Sequence, residues 1–237
     1  MKTIGYVPPD QAFAQLSHHG LVPVVSLDDA ANADHLAQAL VDGGLPVAEI
    51  TFRTAAAARS IEVLARRGDI LVGAGTVLTT WQVDRAVAAG AAFVVSPGLS
   101  RAVVERCQAH RIAVLPGVAT ATEIQAAMEL GLAAAKFFPA AAAGGSATVK
   151  ALAAPFPGFR LLPTGGISEC ALAEYLNLPT VLAVGGSWMV PSRSIARGDF
   201  AAIRELTRAA VLCARQTPRP WRQALLVDVG SAQNRAS

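Results

Sequence analysis

From Gly20 onward the chain alternates, without a break, between apolar runs of strand length and segments with helical spacing. The apolar runs occupy residues 21–27, 46–52, 71–77, 92–97, 112–117, 133–139, 159–166 and 180–188. Helical patterns fill the gaps: from Asp28 and Asp29 to Gly43 and Gly44, from Thr54 to Arg67, from Thr80 to Gly90, and from Ser100 to His110. In the second half Thr120 and Glu123 spell a capping box for a helix ending at Gly131. Residues 147–154, a stretch from Ser168 (read as its N-cap) to Asn177, and a last stretch from Asp199 to Ala214 complete the series. Strands alternating with helices at steps of roughly 20–28 residues indicate βα units and a parallel sheet. Eight units in one series predict an α/β protein built as a closed (β/α)8 TIM barrel, with an open doubly wound sheet as the alternative. Residues 10–19 add an N-terminal helix ending at Gly20. The expectation is one domain over residues 1–214 and a short C-terminal extension, 215–237, whose prolines predict irregular structure.

Composition narrows the function classes. The 53% hydrophobic content is rich in alanine and valine, which suits small-residue helices on buried parallel strands. The net charge of +3 is local: Arg215, Arg219, Arg222 and Arg235 face only Asp228 after Ala214, and the rest of the chain balances. No basic face is offered to nucleic acid, and the few aromatic residues are too scattered for base stacking. Cys107, Cys170 and Cys213 are far apart, without a CxxC, so they predict reduced thiols rather than a disulfide framework or zinc site. His18 and His19 sit at a helix end, where exposure or the helix dipole explains them better than a metal does. No stretch reaches the roughly 18–20 apolar residues of a membrane span, and the N-terminus lacks the apolar segment of a signal peptide. These features predict a soluble cytoplasmic protein without a membrane or nucleic-acid partner.

Lys136 stands in the middle of the sixth apolar run, AAAKFFP. A lysine is rarely buried unless it is paired or working. An ordinary lysine is a free amine in only about one molecule in 2,500 at pH 7, and burial disfavours the ammonium, as a Schiff-base nucleophile requires. Alone, this lysine is equally well explained by snorkelling from a strand end. The second run changes that balance. Side chains alternate along a strand, so Glu49, Thr51 and Arg53 share one face. Glu49 and Lys136 are the only charged residues well inside the eight runs. A structural ion pair is one reading of them. Convergence of both inside a barrel favours a catalytic pair. Polar residues at the ends of the other runs are Thr76, Ser96, Thr164 and Ser187.

Two glycine pairs, Gly165–Gly166 and Gly185–Gly186 followed by Ser187, close the seventh and eighth runs. Either pair alone is explained by a tight turn. Glycines also let backbone N–H groups approach an anion, and the loops after strands seven and eight are the usual phosphate site of such barrels. Together they predict a phosphate-bearing substrate.

The segments EITFRT (49–54), GAGTV (73–77), SPG (96–98), KFFPA (136–140), PTGGIS (163–168) and GGSW (185–188) resemble, in order and spacing, the 2-keto-3-deoxy-6-phosphogluconate aldolase family. The resemblance covers about residues 10–214. It implies a metal-independent, cofactor-free class I aldolase of the Entner–Doudoroff pathway, a carbon–carbon lyase working as a cytoplasmic homotrimer. It implies pyruvate and glyceraldehyde 3-phosphate as products of the phosphorylated keto acid. Residue by residue, it implies Lys136 as the Schiff-base lysine and Glu49 as the acid and base. Arg53 and Thr76 would meet the keto-acid end, and Thr164 the aldehyde carbons. Gly165, Gly166 and Ser187 would hold the phosphate, while Pro97 and Phe138 would shape the wall. Many relatives carry an arginine near the end of the first strand, where this chain has Ser26. The remaining alternatives are an aldolase for the galactonate epimer or for 4-hydroxy-2-oxoglutarate, a phosphosugar isomerase, and a non-catalytic phosphate-binding barrel.

Overall fold

The computed structural model of the chain describes residues 6–217. Its strands are β1 (Leu21–Val25), β2 (Val47–Thr51), β3 (Leu71–Gly75), β4 (Phe93–Val95), β5 (Ala113–Leu115), β6 (Gly117–Val118), β7 (Ala134–Phe137), β8 (Arg160–Pro163) and β9 (Val184–Gly186). The α-helices are α1 (Pro9–His19), α2 (Ala33–Asp42), α3 (Ala57–Arg67), α4 (Thr80–Ala88), α5 (Arg101–Ala109), α6 (Ala121–Glu129), α7 (Gly145–Ala153), α8 (Leu172–Leu176), α9 (Ser192–Ala196) and α10 (Phe200–Gln216). All strand pairings are parallel, as the crossover helices require.

The strands form a six-stranded sheet, β5-β4-β3-β2-β1-β9, and a three-stranded sheet, β6-β7-β8. The expected single ladder of eight strands is thus met in part, as an α/β fold with curled parallel sheets. The fifth expected strand is split at Pro116, which has no N–H to give a ladder. Before that proline the segment pairs with β4; after it, with β7. The Pro116 carbonyl accepts the Lys136 amide at 2.9 Å. On the far side, single bridges Leu161↔Val181 and Thr164↔Gly185 run between β8 and the segment leading through β9.

Several strands stop short of the expected bounds for backbone reasons. Thr76 has φ 54° and cannot continue β3, while Gly165 (φ 102°) and Gly166 (φ 74°) turn the chain out of β8. The Thr120–Glu123 capping box forms. The Ser168 side chain caps nothing: a 3-10 turn, Glu169–Ala171, opens the next helix, and the Ser168 backbone carbonyl takes the Ala171 amide at 3.2 Å. The five-residue α9 has too few turns to show a period and was not anticipated. α10 runs through Arg215 and Gln216 and is capped by the buried Thr217, and residues 218–237 of the expected irregular tail lie outside the described residues.

Small residues set the interior. α3 buries Ala57, Ser60, Ile61 and Leu64, the spacing of one helical face. In β3, Gly73 and Gly75 point the same way and leave room for large neighbours. A methyl at Gly73 would lie 2.3 Å from the Phe93 ring, and one at Gly75 would lie 2.2 Å from Glu49 Oε1. Phe93 therefore fills one notch and the Glu49 carboxylate fills the next.

Candidate active site

β2 and β7 carry the two charges. Register pairs Glu49 with Val24 and Gly73, and Lys136 with Gly117 and Leu162. Both side chains enter the interior: Glu49 is 0% exposed and Lys136 5%. Lys136 Nζ lies 3.6 Å from Glu49 Oε1. That is an ion-pair distance but too long for a hydrogen bond. Neither carboxylate oxygen of Glu49 has a hydrogen-bond partner. Buried oxygens are rarely left so, and a carboxylate accepts on both. Among the described residues, the acceptor capacity of the carboxylate is therefore not taken up by any other protein group. Lys136 Nζ also lies 5.0 Å from the centre of the Phe138 ring, whose quadrupole favours a cation there.

The other sequence-predicted residues gather at the carboxyl ends of the strands. Arg53 is exposed just after β2, and its Nε donates to Thr51 Oγ1 at 3.2 Å. Thr76 follows β3 in the left-handed region, an outlier for a β-branched residue and the kind of strain that collects at functional sites. Pro97 follows β4 in a turn tied by Ser96 Oγ, which donates to the Gly98 carbonyl at 2.8 Å. Thr164 is buried after β8 and pairs with Gly185 across the bridge to β9. A methyl at Gly165 would stand 3.0 Å from the Phe138 ring, so this glycine lets the turn lie against the aromatic wall beside Lys136. Gly185 and Gly186 have packing roles of their own, because side chains there would meet Thr164 at 2.3 Å and the Trp188 ring at 1.7 Å. Ser187 is exposed immediately after β9.

The family model described as KDPG and KHG aldolase matches residues 13–206. The chain belongs to the KDPG and KHG aldolase family. Class I, Schiff-base aldolase chemistry comes with that membership. It is 49% identical over 197 residues to a 2-dehydro-3-deoxy-phosphogluconate aldolase of Treponema pallidum, covering 83% of this chain and 94% of that one. Among solved structures it is similar to a KDPG aldolase of Legionella pneumophila with pyruvate captured as a covalent carbinolamine. That match has a TM-score of 0.81 and 41% identity, over 86% of this chain and 98% of the other. The aldolase of Zymomonas mobilis with 3-phosphoglycerate is also similar, with a TM-score of 0.81 and 38% identity, over 90% and 97% of the two chains.

In this aldolase two contributors escaped the sequence reading. Gly75 makes the notch for the Glu49 carboxylate, and its only signal was a glycine two residues from another in a strand. Thr51 was noted as sharing a face with Glu49 and Arg53, but its link to the guanidinium needs the folded turn. Two surface cavities, of about 280 and 380 Å³, lie near Phe159 and near Pro46, at the amino ends of β8 and β2, away from Lys136. Among the described residues no three His, Cys, Asp or Glu side chains gather as a metal site, and no helix is long and apolar enough to cross a membrane.

Proposed function

We propose that this aldolase cleaves 2-keto-3-deoxy-6-phosphogluconate to pyruvate and glyceraldehyde 3-phosphate through an imine on Lys136, with Glu49 as acid and base. The observation that carries the reading is the buried pair at 3.6 Å with both carboxylate oxygens unpartnered. The free amine attacks the ketone carbon, and the carbinolamine loses water to become an iminium. That cation draws the electrons of the bond between the third and fourth carbons. Glu49, directly or through a water, takes the proton from the fourth-carbon hydroxyl as the aldehyde leaves. The remaining enamine is protonated and hydrolysed to pyruvate. The carbinolamine in the Legionella relative supports this sequence. The iminium supplies the polarisation that a metal would otherwise provide.

Arg53 meets the substrate carboxylate with a bidentate fork and Thr76 lies beside it. Thr164 faces the aldehyde carbons, and Pro97 and Phe138 form the wall. Gly165, Gly166 and Ser187 bind the phosphate, with Gly185 and Gly186 shaping that site. The 3-phosphoglycerate bound by the Zymomonas relative supports a phosphate subsite. The family description also names KHG, so 4-hydroxy-2-oxoglutarate is the second substrate to assay.

The same reading takes residues 1–214 as one (β/α)8 domain whose strands close into a barrel. The segment 113–118 shared between the sheets and the bridges between β8 and β9 support closure. It places the enzyme in the cytoplasm as a homotrimer. Glu49→Gln tests the chemistry. It keeps the shape but accepts no proton, so kcat should fall about 10²–10⁴-fold with the fold retained. A folded variant with wild-type kcat would reduce Glu49 to an ion-pair partner.

A further inference from the structure

Thr51 is 2% exposed at the end of β2. Its hydroxyl has one proton, and that proton is committed: Oγ1 lies 3.0 Å from the Val25 carbonyl oxygen, which can only accept. What remains on Oγ1 is acceptor capacity, and Arg53 Nε fills it at 3.2 Å. The direction of both bonds is thereby set without reference to hydrogen positions. The backbone around Arg53 is held as well. The Phe52 amide donates to the Gly75 carbonyl at 2.7 Å, and the Thr54 hydroxyl donates to the Leu27 carbonyl. Arg53 thus leaves a turn pinned to β3 on one side and to the end of β1 on the other.

From this geometry we infer that Thr51 is a positioning residue for Arg53. With Nε occupied, the side-on edge of the guanidinium is engaged, and a carboxylate must be met end-on by the two terminal nitrogens. Thr51 selects that edge and aims it, which fixes where the keto acid's carboxylate sits relative to Lys136 and Glu49. The inference rests on the reading of Arg53 as the carboxylate ligand.

The test measures borohydride trapping of ketones on the intact enzyme as a function of ketone concentration. Thr51→Val removes the hydroxyl at nearly constant volume, with Thr51→Ala as the second hydroxyl-free variant should the first not fold. The pyruvate concentration for half-maximal trapping should rise about tenfold, the lower end for loss of a hydrogen bond to a charged group. Acetone, a ketone without a carboxylate, should be trapped at the wild-type rate. Thr51→Ser keeps the hydroxyl and should behave as wild type with both ketones. Added to Arg53→Ala, Thr51→Val should have no further effect on pyruvate. Unchanged pyruvate half-saturation in Thr51→Val, equal impairment with acetone, or failure of Thr51→Ser to restore it would overturn the inference. Arg53→Ala separates the two levels. If it weakens pyruvate while Thr51→Val does not, only the positioning role fails. If it leaves pyruvate unchanged, the carboxylate reading fails and the positioning role with it.

Discussion

Gly75→Ala adds one methyl beside the carboxylate and leaves both charges in place. The new Cβ would lie 2.2 Å from Glu49 Oε1, 2.6 Å from Cγ and 2.8 Å from Cδ, where ordinary contact begins at 3.4 Å. The backbone at Gly75 lies outside the left-handed region, so alanine brings no strain of its own. Glu49 must therefore retreat by about 1 Å, a displacement that at a reacting group costs about 10²-fold in rate. Overpacking of this size costs about 1–3 kcal/mol, or about 2–12 °C in Tm for a chain of this length. Gly73→Ala is the control, because it drives the same methyl to 2.3 Å from the Phe93 ring instead of the carboxylate. Pyruvate release from the phosphorylated keto acid, with thermal denaturation of each variant, reads both quantities. Gly75→Ala should lose about 10²-fold in kcat and Gly73→Ala less than about fivefold, at similar Tm. Wild-type kcat in Gly75→Ala, or equal losses in the two variants, would refute the notch argument.

Ser187→Ala should lower kcat/KM on the phosphorylated substrate by roughly 10- to 150-fold, the worth of one charge-assisted hydrogen bond. Its effect on 4-hydroxy-2-oxoglutarate, which has no phosphate, should be small; equal losses would remove Ser187 from the phosphate site. Cys107 is buried, and desolvation pushes its thiol up to about 12, while Cys170 is exposed. Iodoacetamide at pH 8 should therefore alkylate Cys170 and spare Cys107 in the folded enzyme, and equal labelling of both would contradict that burial.

The alternation of strands and helices was legible because parallel strands buried on both faces read as unbroken apolar runs. Lys136 and Glu49 stood out for the same reason: either charge alone has a bland explanation, snorkelling or an ion pair, but two opposite charges interrupting such runs point to convergence in the interior. Their separation was not legible, since β2 and β7 meet only through the curl of the sheets. Nor was the partner switch at Pro116, because a proline removes one ladder bond without saying which neighbour takes over. Ser168 has the right side chain for a cap, but its backbone carbonyl satisfies the first turn instead. Gly75 and Thr51 acquire their roles from side chains that approach them in three dimensions, Glu49 and Arg53, and no local pattern records those approaches.

The central claim is that Lys136 forms the imine. Incubating the enzyme with pyruvate, reducing with borohydride and mapping the digested chain by mass spectrometry tests it directly. The account predicts loss of activity with one reduced pyruvate adduct, on the peptide containing Lys136, and activity that survives a chelator. An adduct on Lys150, or no adduct together with activity lost to the chelator, would contradict it.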